Sequence, residues 1–532
     1  MRKSSLISTA CLLLGVPGAT AAQGPAQGRP KLIVQITFDQ LRGNLLERYR
    51  PAFTAGFKRV LDGGWWVKRG EAAHGITVSY PGHATLASGL YPSHHGLTAN
   101  EWWQEVDGRW RSVGVVGDPS TRIVGRPDEE GLSRRQVQGT SLADWVKAQS
   151  PAAKTIAIGS ESAIIYGGAR PDGAYWFDGQ AGGYTTSTAY SQTLPAWVQQ
   201  LNSRIAALPK SWELQVPASL RTLADHPQQC PLVSPPAVFP HRYTAPTPAV
   251  AGSYLSWTDG TPLKDDELLR RVGELVDAEE LGRDNVADYL ALAVGSTDSV
   301  GHEYGPLSME QLDTLLRLDA ALGAMLDDLD KRLGKDGYVV GISADHGVAD
   351  PPENKCLHRV NNAELEALLD RVEVIATAHQ GSREALIEKI AAELRRAPFI
   401  GDVYTEARLS SPARDDWKAE LMKRSFRPGH TTDLPLWSEK RRPHHPARYG
   451  ISVQFKEGVV FHYATGVHGS PYDYDRLVPV LFYGAGVPHR ELTTGGRTVD
   501  VAPTLASLAG VQRPGGLDGQ SLLVPETAAG GN

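Results

Sequence analysis

Leu32-Ile-Val-Gln-Ile-Thr-Phe-Asp39 is a short apolar run that ends on a carboxylate, and how it is read decides the fold. A run of this length and composition reads as a parallel strand buried on both faces. Tyr289 to Val294 and Tyr338 to Ser343 repeat the pattern, and Asp298 and Asp345 follow them. Three strands of one sheet then deliver Asp39, Asp298 and Asp345 to a common edge. In open α/β sheets the carboxyl edge is where ligands bind. His302, His346 and His468 add three imidazoles. Three carboxylates and three imidazoles are the inventory for a pair of divalent metals, with Ser79 placed as a nucleophile between them.

The rest of the chain supports one large core. Its 532 residues are 41% hydrophobic and 21% charged, ordinary for a globular protein, and a core of this size is feasible. A formal charge of −6 with no basic stripe argues against nucleic acid as the main partner. Residues 1–22 read as a secretory signal peptide: Arg2 and Lys3, then an apolar stretch from Leu6 to Val16, then Ala19, Thr20, Ala21 and Ala22. That stretch is too short to span a bilayer and no other is long enough, so the expectation is a secreted or periplasmic protein without stable membrane insertion. Losing Arg2 and Lys3 takes the formal charge from −6 to −8. An oxidising compartment permits a disulfide between Cys230 and Cys356, although their spacing alone does not decide whether they meet.

Between a Gly/Pro/Gln linker at 23–31 and a polar tail, Glu526 to Asn532, strands alternate with helices such as Ser308 to Leu333, where Ser308 and Gln311 form a candidate capping box. The rhythm predicts an α/β fold with a mostly parallel central sheet flanked by helices. Residues 165–265 and 352–450, the latter with helix-like stretches at Asn362 to Leu369 and Arg383 to Arg396, read as insertions capping the sheet edge of a single domain over 23–532.

His302 follows Asp298 by four, so a strand end turning into a loop or a first helical turn aims both at one ion. Asp345 and His346 are adjacent, as ligands of one ion or of two neighbouring ones. Three histidines favour zinc over magnesium or calcium, with manganese and iron left open. Ser79-Tyr-Pro-Gly-His83 opens a small-residue helix from Pro81 to about Ser88, and Ser79 has two readings there. It is either an N-cap or a nucleophile whose alkoxide the helix N-terminus stabilises. His444 and His445 read as a solvated loop pair, and Trp65, Trp66, Trp102 and Trp103 as packing, one of the last two bordering a leaving-group pocket.

These residues resemble the alkaline phosphatase superfamily, and within it the phosphate-irrepressible alkaline phosphatases and their nucleotide pyrophosphatase/phosphodiesterase relatives. The matching stretches are Thr37-Phe-Asp-Gln40, Ser79-Tyr-Pro-Gly-His83, Gly89-Leu-Tyr-Pro-Ser-His-His-Gly96 with Asn100, Ala174-Tyr-Trp-Phe-Asp178, Ser296-Thr-Asp-Ser-Val-Gly-His302, Ala344-Asp-His-Gly347, His468-Gly-Ser-Pro-Tyr-Asp-Tyr-Asp475 and Val499-Asp-Val-Ala-Pro-Thr504. The resemblance implies an alkaline phosphatase-like fold and small-molecule phosphate esters as substrates. It also implies two zinc ions, one held by Asp298, His302 and His468 and the other by Asp39, Asp345 and His346. Ser79, where relatives usually carry threonine, would bridge both ions and become phosphorylated, and Asn100 would donate to a non-bridging phosphoryl oxygen.

In one place the chain departs from the family pattern. Monoesterases of this family carry a lysine and an arginine shortly before the Ala-Tyr-Trp-Phe-Asp motif, whereas Ile158-Gly-Ser-Glu-Ser-Ala-Ile-Ile165 has no cation and sets Gly159 and Glu161 at those substrate-binding positions. Losing two charge-assisted bonds costs several kcal/mol on a dianionic substrate, which makes diester hydrolysis a serious rival. Otherwise Glu161 faces away or binds a third ion, and a basic residue of the insertion substitutes. A sulfatase is disfavoured because the motif after Ser79 ends on His83 and not arginine, and a cytosolic phosphoglycerate mutase because of the leader. A silent binding module is disfavoured by the full set of donors.

Overall fold

A computed structural model of the chain describes residues 28–523, apart from 107–108, 225–229, 231–237, 249, 251, 433–434, 437–441 and 462–464. The expected leader and the polar tail lie outside the described residues. Nine strands form one sheet: β1 (Leu32–Phe38), β2 (Trp65–Glu71), β3 (Thr155–Gly159), β4 (Gly173–Asp178), β5 (Gly183–Thr185), β6 (Asp288–Val294), β7 (Tyr338–Ser343), β8 (Leu477–Gly484) and β9 (Arg490–Leu492). Their order is β9-β2-β8-β7-β1-β6-β3-β4-β5. β7, β1, β6, β3 and β4 pair in parallel, and β8 and β5 run against the others. The three runs singled out in the sequence are thus neighbours at the centre, wholly buried because helices cover both faces. One apolar cluster lies on each face, with Val34, Ile36 and Leu290 in the first and Ile33, Ala291 and Val339 in the second. Alternation along each strand divides its side chains between them.

Register fixes the site. Thr37 pairs with Ser343 and Phe38 with Val294, so Asp39, Asp345 and the turn before Asp298 leave the sheet at one level. Among the helices, α1 spans Ser79–Ser88, α2 Ser296–Tyr304, α3 Met309–Leu333, α4 Asn362–Ala378 and α5 Arg383–Arg396. Ser308 caps α3 by accepting from the Gln311 backbone N–H at 3.0 Å. The reciprocal half of the expected capping box is not made, because the Gln311 side chain donates instead to the Thr297 carbonyl of α2 at 3.3 Å. A tertiary bond between two packed helices has displaced a local one.

Within 165–265, residues 173–185 supply two strands of the sheet itself, and helices after Pro195 pack outside it. Within 352–450, α4 and α5 pack with the antiparallel pair Ile400–Thr405 and Ile451–Phe455 around their own apolar core of Leu368, Ile390, Leu394, Val403 and Val453. Cys230 and Cys356 are disulfide-bonded across 126 residues, which ties the two regions together. Among the described residues no helix is long and apolar enough to cross a membrane.

Candidate active site

The structure gathers every expected donor at the sheet edge. Asp39 follows β1 directly, its backbone N–H bonded to the Val294 carbonyl at 2.9 Å. Asp298 and His302 stand one turn apart on α2, with His302 Nε2 3.2 Å from Asp298 Oδ1. His468 Nε2 lies 3.1 Å from His302 Nε2 and 3.7 Å from Asp298 Oδ1. His346 Nε2 lies 3.5 Å from Asp39 Oδ1 and 3.3 Å from Asp345 Oδ2. Ser79 Oγ is 3.4 Å from His346 Nε2.

The hydrogen-bond pattern assigns the tautomers. His302 Nδ1 donates to the Gly466 carbonyl at 2.7 Å, His346 Nδ1 to that of Gly347 at 2.9 Å and His468 Nδ1 to that of Thr77 at 2.9 Å. A carbonyl only accepts, so the proton of each neutral ring sits on Nδ1 and the Nε2 lone pair faces the cluster. Asp39 Oδ1 and Asp345 Oδ2, buried beside His346 Nε2, have no hydrogen-bond donor. Orphaned carboxylate oxygens beside convergent Nε2 lone pairs fit divalent cations: oxygen and nitrogen ligands with backbone bonds orienting them from behind.

Charge tells the same story. Burial, then Asp345 and Asp298, raise the Asp39 carboxyl well above the usual range. Burial also works against ionising Asp298, yet His302 and His468 outweigh it and hold that carboxyl below its ordinary value. Burial lowers His302, but Asp298 prevails and raises it to about 9, while burial and its neighbours His346 and His302 push His468 well down. Of His302 and His468, only His302 is pushed toward its charged form.

Ser79 is not the N-cap. α1 begins at Ser79, Val78 takes the cap position and no side chain caps the end, which leaves Ser79 Oγ turned to the cluster. The helix can come this close because Gly82 rides on Asp345: a Cβ there would sit 2.5 Å from the Asp345 carbonyl oxygen. Asn100 Oδ1 accepts the Tyr80 backbone N–H at 3.0 Å, which leaves its amide nitrogen as the donor available beside Ser79.

At the departure from the family pattern, Gly159 closes β3 at φ +150°, and a Cβ would lie 2.0 Å from the Ala293 carbonyl, so no side chain of any kind fits. Glu161 opens to solvent and accepts a hydrogen bond from the Tyr80 hydroxyl, one residue after Ser79. Surrounding protein raises its carboxyl above the usual range, with that hydrogen bond pulling the other way. The insertion does carry a lysine nearby, Lys264, but it is fully buried with Nζ 2.8 Å from Asp265 and 3.2 Å from Asp259. Two carboxylates already neutralise it.

Sequence reasoning missed two members of the site. Gln40, at φ +66°, donates from Nε2 to Asp298 Oδ1 at 2.6 Å and from its backbone to Asp345 Oδ1 at 3.1 Å, bridging both halves. His83, quoted only as part of a motif, reaches 3.3 Å from Asp39 Oδ2 and 3.4 Å from Asp345 Oδ2. Its position one turn after Ser79 on the same helix face was the available signal. His445 bonds the Leu436 carbonyl and His444 the Tyr449 hydroxyl, away from the cluster. Trp65, Trp66 and Trp102 are buried, and the Arg448 guanidinium lies over the Trp103 ring at 5.3 Å.

Comparison with known proteins identifies the family and the fold. The family described as type I phosphodiesterase / nucleotide pyrophosphatase matches residues 33–408. The chain is 27% identical to alkaline phosphatase PafA of Elizabethkingia meningoseptica over 96% of its own length and 97% of that protein's. It is 29% identical to alkaline phosphatase PhoK of Sphingomonas sp over 92% of its length and 89% of that protein's. The crystal structure of wild-type PafA superposes with a TM-score of 0.77 at 24% identity, covering 93% of this chain and 98% of that one, which establishes the common fold.

Proposed function

Because the chain belongs to the type I phosphodiesterase / nucleotide pyrophosphatase family and is a phosphoric ester hydrolase, we propose that it works through a phosphoserine on Ser79 with two zinc ions held at the sheet edge. The observation that carries this reading is the convergence of the His302 and His468 Nε2 atoms on Asp298 Oδ1, beside His346 Nε2 facing the orphaned oxygens of Asp39 and Asp345. Asp298, His302 and His468 would hold one ion and Asp39, Asp345 and His346 the other, with Ser79 Oγ 3.4 Å from His346 Nε2. Bound there, the cations supply a lowered hydroxyl pKa and offset charge on the leaving oxygen. Ser79 loses its proton to solvent and attacks phosphorus in line as the ester P–O bond breaks. Water then cleaves the seryl phosphate by a second inversion, which gives net retention at phosphorus. Asn100, its carbonyl engaged by Tyr80, donates from its amide to a non-bridging oxygen.

The Cys230–Cys356 disulfide supports export, since such bonds persist in oxidising compartments. In this reading residues 1–22 are a leader, and 23–532 act as one catalytic domain in the periplasm or outside the cell, on small phosphate esters.

Glu161 favours a second reading, in which diester hydrolysis outruns monoester hydrolysis. A carboxylate bonded to Tyr80 beside the nucleophile repels a dianion more than a monoanion, and neither Gly159 nor the neutralised Lys264 offers a compensating cation. Rates on an aryl phosphate monoester and its methyl diester, for wild type and Ser79→Ala, test both readings. Loss of both activities in Ser79→Ala is the expected result, and full activity in that variant removes the phosphoserine. A large monoester preference in wild type removes the second reading alone.

A further inference from the structure

His83 looks at first like a seventh ligand. It is buried without exposure, and its Nε2 lies 3.3 Å from Asp39 Oδ2 and 3.4 Å from Asp345 Oδ2, within reach of one ion together with them. Its hydrogen bonds separate it from the other three imidazoles. Where they donate from Nδ1 to a carbonyl, His83 places Nδ1 2.9 Å from the Tyr166 hydroxyl, which in turn lies 2.7 Å from Thr37 Oγ1. A hydroxyl can donate as well as accept, so Nδ1 is free to be the unprotonated nitrogen. Nε2 faces two carboxylates and no donor, and a lone pair aimed there would be repelled. The ring proton therefore belongs on Nε2, opposite to the tautomer of His302, His346 and His468.

The oxygens of Asp39 divide to match. Oδ2 faces His83, while Oδ1 has no donor and lies 3.5 Å from His346 Nε2, on the side where the cation sits in the reading above. The proton order that satisfies every group runs from Thr37 Oγ1 to Tyr166, from Tyr166 to His83 Nδ1 and from His83 Nε2 to Asp39. Both ends of this chain belong to the same strand end, since Thr37 lies on β1 and Asp39 directly follows it.

We propose that His83 is a positioning residue, not a ligand: its Nε2–H holds the Asp39 carboxylate with Oδ1 turned to the metal, and Tyr166 fixes the tautomer that makes this donation. Backing donors of this kind are worth about 10–100-fold in metal affinity.

The inference rests on the two-metal reading, and zinc binding tests the two separately. The full chain is stripped with chelator, and zinc is returned against a competing indicator for wild type, His83→Gln and His83→Leu. Glutamine keeps an N–H donor at about the same reach but is a poor zinc ligand. The expected result is two zinc per chain in wild type, near-wild-type affinity in His83→Gln, and one site weakened about 10–100-fold in His83→Leu. Undiminished affinity in His83→Leu overturns the proposal, and so does a His83→Gln as weak as His83→Leu, which would make the ring itself a ligand. If His83→Leu does not fold, Tyr166→Phe takes its place: a weakened site supports the relay and an unchanged one overturns it. A wild-type chain that binds no zinc sinks the two-metal reading instead.

Discussion

Gly82→Ala is the perturbation that asks most directly whether the packing of α1 sets the chemistry. The added methyl carbon would lie 2.5 Å from the Asp345 carbonyl oxygen and 2.6 Å from Asp345 Cβ, where ordinary contact begins at 3.4 Å. Helix or strand end must yield by roughly 0.8 Å, the gap between the last two distances, in an interior that has little slack. Two effects oppose each other in stability. Overpacking costs about 1–3 kcal/mol, and replacing glycine within a helix returns about 0.5–1 kcal/mol. The net is a loss of about 0–2.5 kcal/mol, visible as a fall of a few degrees in Tm at most. Activity has no such compensation. Ser79 and His83 share this helix, and Asp345 is the residue it pushes against, so a displacement approaching 1 Å costs about 10²-fold in kcat/KM. The assay is initial-rate hydrolysis of an aryl phosphate ester alongside thermal unfolding, with Gly114→Ala, where a Cβ meets nothing within 4 Å, as control. Gly82→Ala turning over like wild type would refute the claim that this contact positions Ser79 for the proposed attack.

The remaining predictions concern charge and covalent links. His302, raised to about 9 by Asp298, carries a proton in the metal-free chain at neutral pH. Its stabilisation is full below its ordinary 6.5 and lost as pH rises through about 9, while that of the lowered Asp298 is present above 3.8 and lost in acid. Zinc must displace the His302 proton, so affinity at that site should rise about tenfold per pH unit from neutrality to pH ~9 and then level; chelator competition giving a flat profile contradicts it. Reducing Cys230–Cys356 releases a loop of 126 residues, worth about 4–5 kcal/mol of chain entropy, and equal melting temperatures with and without reductant would count against that stabilisation. Lys264→Met leaves Asp265 buried without its partner and should destabilise by about 3–5 kcal/mol while the folded fraction keeps its kcat/KM. A stable variant that has lost about a hundredfold in kcat/KM would mean that Lys264 serves the substrate after all.

The fold was legible where burial is two-sided. β1, β6 and β7 read off as continuous apolar runs because a central parallel strand has no polar face to interrupt it, and the aspartates after them mark the edge. Ser79 was ambiguous because one residue at a helix start separates a cap from a first-turn side chain, and the packing of Gly82 on Asp345 settles which. The partner of Glu161 lies 81 residues away and that of Gln311 on another helix, contacts that no local pattern records. His83 was harder still. Ligand and donor imidazoles are the same residue type, and only the hydroxyl of Tyr166 behind the ring, against carbonyls behind the others, tells them apart.

The electrostatics of the two sides of Ser79 answer each other. On the sheet side, the raised Asp39 carboxyl and the raised His302 imidazole answer the crowding of two buried carboxylates and the half-buried Asp298. In the proposed two-metal reading, divalent ions would remove both compromises and leave the pocket with positive charge for an incoming phosphoryl group. On the outer side stands Glu161, with Lys264 withdrawn into its own pair of carboxylates. The attraction is therefore concentrated on the oxygens that face the metals and reversed at the rim. A monoanionic diester can turn its esterified oxygen toward that rim, whereas a dianionic monoester must present charge there. In the second reading proposed above, selectivity between the two would then follow from one carboxylate, without any change in the proposed ligands.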